Sequence, residues 1–193
     1  MAGVAGSGKS TLGRALASAL QAPMLDLDSM TNPLLDSLPA VVFGGHWLAS
    51  PISGEIRDGR YAALRAVTRD TVATAGRAVL VAPFTAEQRG GAAWRRLCEA
   101  GGAADLHVVH IDGDPTVFAA RRAQRSEERD RHRNPPPPAA PPAVPVLPVN
   151  GEHATDRQFS RVLHALGECG AIAPRHFLRG LRLSWLAFRY RDH

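Results

Sequence analysis

Cysteine, lysine and long apolar runs are all scarce in this chain of 193 residues. The two cysteines, Cys98 and Cys169, are too few for a disulfide scaffold or a four-cysteine zinc site. No apolar run reaches the roughly 18 residues that span a bilayer, and no signal-peptide pattern opens the chain. These absences favour a reduced, soluble protein of the cytoplasm.

Hydrophobic residues make up 45% of the chain, which excludes a wholly disordered protein and suits one α/β domain with appendages. The net charge of +5 comes mostly from residues 171–193, which hold five arginines and one aspartate. The remaining residues are close to neutral. Binding to a phosphate backbone needs basic charge clustered on the folded body, so nucleic acid is not an expected partner.

A glycine-rich segment at the start of the chain carries the strongest chemical signal. Residues 3–10 read GVAGSGKS, which fits the phosphate-binding pattern G-x-x-x-x-G-K-[ST], and the next residues predict a helix. Backbone N–H groups and a helix N-terminus would then surround a phosphate. Lys9, the only lysine, would reach the β- and γ-phosphates, and the Ser10 hydroxyl would ligate Mg²⁺. The predicted nucleotide-binding residues are Gly3, Gly6, Ser7, Gly8, Lys9, Ser10 and Thr11.

Two carboxylates form the second candidate feature. Met24 to Asp28 read as a short strand whose last residues, Asp26 and Asp28, point to the same face. At the C-terminal end of a parallel strand they would face the ligand crevice. Asp28 would accept a proton from a substrate hydroxyl, and Asp26 would help to hold the metal. The alternative is a solvated turn with a helix cap before Met30.

The first strand is the main departure from a complete phosphate-binding unit, because only Met1 and Ala2 precede Gly3. Such a loop normally follows a buried strand of about five apolar residues in the middle of the sheet. We expect either that the natural start lies upstream or that the folded product is impaired.

Further candidates lie along the chain. Residues 30–54 read as irregular, with His46 more often a plain loop histidine than a substrate contact. Arg57, Asp58 and Arg60 open a helix predicted over 55–75, where arginines could clamp an anionic or polyol substrate or simply face solvent. Residues 77–82 predict a buried strand with no acidic residue at its end, which weakens a motor-type ATPase. A helix is also predicted over 87–99, and a strand over 106–111.

The predicted helix from Pro115 carries Arg122 and Arg125 towards a charged and proline-rich segment, about residues 126–143. These arginines would serve a lid over ATP, or belong to a solvated helix end. An edge strand over 144–149 and a closing helix over 156–168 follow. Residues 169–193 form a basic tail, read as functionless, although a membrane-surface helix or a strand also fits its pattern.

Taken in this order, the units resemble the P-loop small-molecule kinases, above all gluconate and shikimate kinases and the small bacterial AAA-family ATP-binding proteins. The resemblance covers about residues 3–168 and is most specific over Gly3 to Thr11. It implies a three-layer α/β fold, with a parallel sheet of order 2-3-1-4-5 whose first strand is truncated or missing. By resemblance, Gly6 to Thr11 bind ATP–Mg²⁺, Asp28 meets the acceptor hydroxyl, and Arg122 or Arg125 belongs to the lid.

Two readings of function follow. The first is an ATP-dependent kinase that phosphorylates a hydroxyl of a small polar metabolite, with Lys9, Asp28, Arg122 and Arg125 as its catalytic residues and Ser10 and Asp26 as metal ligands. The second is a nucleotide-binding protein without transferase activity. The predicted domain spans residues 1–168.

Overall fold

Five strands and six helices make up the computed structural model, which describes residues 1–102, 106–125 and 140–170. The strands are β1 (Ala2–Gly3), β2 (Met24–Asp26), β3 (Val79–Val81), β4 (Val109–Asp112) and β5 (Leu147–Asn150). The helices are α1 (Lys9–Ala19), α2 (Leu27–Ser37), α3 (Ser53–Ala75), α4 (Gly91–Gly101), α5 (Pro115–Arg125) and α6 (Thr155–Gly170). Short 3₁₀ turns lie at Ala40–Val42, Trp47–Ala49 and Glu87–Arg89.

The strands are parallel throughout. β2 pairs with β3, β1 with β4, and β4 with β5. Hydrogen bonds join the two ladders, because the Met1 amine donates to the Leu80 carbonyl at 2.6 Å and the Ala82 N–H donates to the Met1 carbonyl at 3.2 Å. β1 therefore lies between β3 and β4, and the order β2-β3-β1-β4-β5 confirms the expected sheet.

Helices cover both faces of this sheet. On one face, side chains of α1 and α6 pack on β3, β4 and β5 around Leu12, Leu16 and Val162. On the other face, α3 and α4 bury Leu64 and Leu97. The result is the expected three-layer α/β architecture, in which the C-terminal ends of the parallel strands share one edge.

The first strand has two residues, as the expectation of a truncated strand required. β2 differs from its prediction, because it ends at Asp26 and not at Asp28. The Asp26 carboxylate accepts hydrogen bonds from the N–H groups of Asp28 (3.0 Å) and Ser29 (3.4 Å), and so caps α2. The cap was the alternative reading. Residues 30–37, predicted as irregular, are consequently helical.

Other boundaries move by a few residues. The strand predicted over 77–82 is Val79–Val81, and the strand predicted over 106–111 is Val109–Asp112. The helix predicted over 87–99 divides into the Glu87–Arg89 turn and α4, because Gly90, at φ 79°, separates them. Residues 126–139, most of the predicted lid, and the tail from 171 lie outside the described residues.

Candidate active site

A glycine loop joins β1 to the N-terminus of α1. Gly6 and Gly8 have φ values of 85° and 91°, which a residue with a side chain rarely adopts. Gly8 caps α1 without any side-chain hydrogen bond, and the first turn of the helix carries no acidic residue. The first N–H groups of a helix have no partner within the helix, so this N-terminus suits an anionic ligand. The Lys9 ammonium donates to the Val4 carbonyl at 2.6 Å and lies at the rim of this loop.

The α5 helix fixes the loop from the other side. Arg122 donates to the Ala5 carbonyl at 2.8 Å. A Cβ at Gly6 would collide with the Phe118 carbonyl, so the loop and α5 are in direct contact. Arg122 thus lies beside the phosphate loop, and Arg125 is the last residue of α5. The lid role of both arginines stays a prediction.

Ser10 and Asp26 form the predicted metal pair. The Ser10 hydroxyl donates to Asp26 Oδ2 at 2.7 Å, and Asp26 is buried. Among the described residues, no cluster of three or more His, Cys, Asp or Glu side chains could hold a metal ion. A single carboxylate and a hydroxyl are nevertheless the oxygen donors that suit Mg²⁺, which keeps several waters and takes its other ligands from phosphates. The donor set therefore fits the ion.

Asp28 is held by a network that sequence reasoning only partly foresaw. Arg60 Nη2 donates to Asp28 Oδ1 at 2.5 Å and to Asn32 Oδ1 at 2.8 Å, and Arg60 Nε donates to the Thr31 hydroxyl at 2.7 Å. The guanidinium also lies 5.0 Å from the centre of the Trp47 ring. Arg60 thereby orients the carboxylate and balances its charge.

Thr31 and Asn32 were missed by sequence reasoning. They follow Asp28 by three and four residues, a spacing that places them on the same face of α2. Asn32 is 3% exposed and its Nδ2 has no hydrogen-bond partner in the structure. Reading the segment as irregular concealed this helical spacing.

Two cavities meet at Asp28. One, of about 320 Å³, is lined by the phosphate loop, Lys9, Ser10 and Asp26. The other, of about 380 Å³, is lined by Trp47, Arg57, Arg60 and Tyr61 among others. Leu27, Asp28 and Pro83 line both. A donor phosphate in the first cavity and an acceptor in the second would approach each other beside Asp28.

Tyr61 lines the second cavity and is hydrogen-bonded to a strained corner of the backbone at Phe84. Phe84 has a positive φ of 51°, and its N–H donates to the Tyr61 hydroxyl at 3.0 Å. Burial, with the nearby Glu87 carboxylate, raises the pKa of Tyr61 to about 12. Strain of this kind collects at functional sites, where the surroundings hold it in place.

The remaining candidate residues are Arg57, Asp58 and His46. Arg57 lines the second cavity, with its guanidinium 4.6 Å from the centre of the Tyr61 ring. Asp58 forms a loose pair with Arg57 at 3.9 Å. His46 accepts a hydrogen bond from the Leu48 N–H at 3.2 Å, which caps the Trp47–Ala49 turn, and it stacks on Trp47.

Comparisons with known proteins identify the family and the fold of the chain. The family model of the AAA domain matches residues 1–137, which is more than two thirds of the chain. The chain therefore belongs to the AAA domain family. A search of curated proteins gave no match.

Solved structures show the same fold. A gluconokinase from Sinorhizobium meliloti 1021 is 18% identical, with a TM-score of 0.53 and coverage of 92% of this chain and 94% of that one. A "putative kinase" from Chloroflexus aurantiacus j-10-fl is 19% identical, with a TM-score of 0.53 and coverage of 84% and 91%. These findings confirm the predicted likeness to P-loop small-molecule kinases and the predicted fold class. No helix among the described residues is long and apolar enough to cross a membrane.

Proposed function

We propose that this protein is an ATP-dependent kinase that transfers the γ-phosphoryl group of ATP to a hydroxyl of a small polar metabolite. The proposal rests on the position of Asp28. This residue lines both the cavity beside the phosphate loop and the second cavity, which Trp47 and Arg57 also line. The AAA domain family of the chain and its structural similarity to a gluconokinase support the proposal.

The donor side is served by the loop. Its N–H groups and Lys9 would hold the β- and γ-phosphates, and Ser10 with Asp26 would hold Mg²⁺, which offsets phosphate charge when it is bound. Lys9 leaves the Val4 carbonyl to do so. Arg122, beside Ala5, would stabilise charge on the transferred group, and we assign the same duty to Arg125.

The acceptor side is served by Asp28. Its carboxylate takes the proton of the acceptor hydroxyl while that oxygen bonds to the γ-phosphorus, and the bond from phosphorus to the β–γ bridging oxygen breaks to release ADP. Arg60 keeps the carboxylate aimed at the junction of the two cavities. The exposed part of Arg57 offers a second cation in the acceptor cavity, which favours hydroxy acids over neutral polyols.

Two variants, each with a matched control, test the nucleotide site and the assigned base. Lys9→Ala should weaken ATP–Mg²⁺ binding about 10- to 100-fold, because a charged hydrogen bond is lost. Arg69→Ala removes the same charge from an exposed site on α3 and should bind ATP normally. Asp28→Asn should keep ATP binding and lose about 10²- to 10⁴-fold in transfer to the best acceptor among sugar acids, polyols and nucleosides, whereas Asp70→Asn should transfer normally.

Equal ATP binding by Lys9→Ala and native protein would refute the nucleotide site. Equal transfer by Asp28→Asn and native protein would refute the assigned base.

A nucleotide-binding protein without transferase activity is the second candidate. The lack of an acidic residue at the end of β3 favours it. ATP binding that depends on Lys9, together with no transfer to any member of the acceptor panel, would identify this case.

A further inference from the structure

The guanidinium of Arg60 lies over an indole ring that is itself held by a carboxylate. Arg60 Cζ is 5.0 Å from the centre of the Trp47 ring, and the Trp47 Nε1–H donates to Asp36 Oδ1 at 2.7 Å. We propose that Asp36 and Trp47 are positioning residues. They hold the Arg60 guanidinium, which in turn aims the Asp28 carboxylate at the acceptor hydroxyl. This inference rests on the proposed kinase function, because it concerns the base of the same site.

The hydrogen bonds of Arg60 fix only part of its geometry. Its Nε and Nη2 atoms donate to Thr31, Asn32 and Asp28, which all lie on α2. A planar guanidinium held along one edge can still tilt about that edge. Tilting would turn Nη2 away from the Asp28 carboxylate. The contact with the Trp47 ring restricts this motion, so the ring and the hydrogen bonds supply different constraints.

Burial makes the contact between cation and ring effective. The Arg60 side chain is 13% exposed and Trp47 is 5% exposed, so little water competes for either group. The attraction between a cation and an aromatic face is larger when both are removed from water. The ring of Trp47 is therefore more than a filler of space beside Arg60.

Asp36 fixes the orientation of the ring. It lies on α2 about two turns beyond Asp28, and its carboxylate accepts the indole N–H. A hydrogen bond to a charged acceptor is strong and directional. It also polarises the indole, which makes the ring face more negative and a better partner for the guanidinium. The His46 ring stacks on Trp47 as well, with centroids 5.6 Å apart and planes at 24°.

Direct contact with the acceptor is the competing role for Trp47, because this residue lines the second cavity together with Arg60 and Asp28. The two roles differ in their kinetics. A residue that only contacts the acceptor changes the acceptor KM, whereas a residue that aims the base changes kcat.

Substitutions of the ring and of its carboxylate partner separate these roles. Trp47→Leu removes the ring and should lower kcat about 10- to 30-fold, while the KM for ATP stays within about twofold of native. Trp47→Phe keeps an aromatic face and loses the N–H, so kcat should fall only about 3-fold. Asp36→Ala loses the same hydrogen bond and should give the same decrease. Trp94→Phe makes the matched change on α4 and should leave kcat unchanged.

The same change in an Asp28→Asn background shows whether Trp47 acts through the base. Trp47→Leu should lower the residual kcat of Asp28→Asn by less than about twofold, because no base is left to aim. A merely structural role would lower kcat by the same factor in both backgrounds. That result, or an effect on the acceptor KM alone, would overturn the proposal.

Hydrogen exchange at the Arg60 Nε–H gives a readout that needs no phosphoryl transfer. This group donates to the Thr31 hydroxyl, and its NMR signal is identified by its absence in Arg60→Lys. Trp47→Leu should speed the exchange at least ~10-fold, whereas Trp94→Phe should not change it.

The exchange measurement also separates this inference from the proposed function. Unchanged exchange in Trp47→Leu would overturn the positioning role, even if kcat falls. Faster exchange in Trp47→Leu, together with no transfer to any acceptor by the native chain, would support the hold on Arg60 and refute the kinase proposal.

Discussion

At the scale of single residues, Met1 carries an ionisable amine in an unusual place. Its amine is buried beside the Leu80 carbonyl, and burial, with a contribution from Lys9, lowers the pKa from 8.0 to about 5. Between these values the unfolded chain binds a proton that the folded chain does not. Stability therefore falls as pH decreases from 8 to 5, by up to about 4 kcal/mol at roughly 1.36 kcal/mol per unit.

Urea unfolding at pH 5, 6, 7 and 8 measures this dependence. Burial lowers the pKa of His110 as well, which adds a loss of the same sign below its usual 6.5. Acetylation of the Met1 amine is the control, because it removes that proton and leaves only the His110 part. A free energy of unfolding that stays constant from pH 8 to pH 5 in the unmodified chain would contradict the prediction.

The site residues show what one sequence can and cannot predict. Lys9 and Ser10 were predicted because spacing within a short motif fixes their geometry. Arg60 was named as a candidate, but its contact with Asp28 was not predicted. The two residues are 32 positions apart, and their contact depends on how α2 packs on α3. Local pattern says nothing about which of two nearby arginines turns inward.

At the scale of elements, helices with a regular apolar face were predicted to within a few residues, as α3, α5 and α6 show. β2 was misjudged because Asp26 has two uses that a pattern does not separate: it ends a strand and it caps α2. The carboxylate cap stops the strand two residues early. A side-chain hydrogen bond therefore overrode the alternation that predicted the longer strand.

Two helical glycines test the packing of these elements. A Cβ at Gly13 of α1 would lie 2.6 Å from Val81 Cγ2 of β3, whereas a Cβ at Gly59 of α3 would meet nothing within 4 Å. Gly13→Ala should therefore lower the free energy of unfolding by about 1–3 kcal/mol through overpacking. Gly59→Ala should raise it by about 0.5–1 kcal/mol through helix propensity.

Thermal and urea unfolding of both variants measure the contrast. Because the substitution is the same and both sites are helical, the difference reports only the α1–β3 contact. A stabilised Gly13→Ala variant would show that α1 lies further from the sheet.

At the scale of the whole molecule, the sheet order was implied by the resemblance to P-loop small-molecule kinases, and the pairing of the strands agrees with it. The register between neighbouring strands did not follow from the sequence, because register is a property of the assembled sheet.

The division of charge between body and tail gives the last prediction. The residues that line the two cavities lie between Ala5 and Thr85, and α5 supplies Arg122. Ending the chain after Gly170 removes five arginines and one aspartate of the predicted tail. We expect ATP–Mg²⁺ affinity to stay within about twofold of the full chain, because the described lining of both cavities comes from residues outside the tail.

Calorimetric titration at 50 and 200 mM salt checks this prediction. The control is the full-length chain with all five tail arginines changed to glutamine, which removes the positive charge but keeps the length. If the tail only adds diffuse charge, both variants bind ATP alike, and the small affinity difference from the native chain disappears at high salt. A loss beyond about tenfold in the shortened chain alone would place part of the tail in the nucleotide site, because charge removal at full length would not reproduce it.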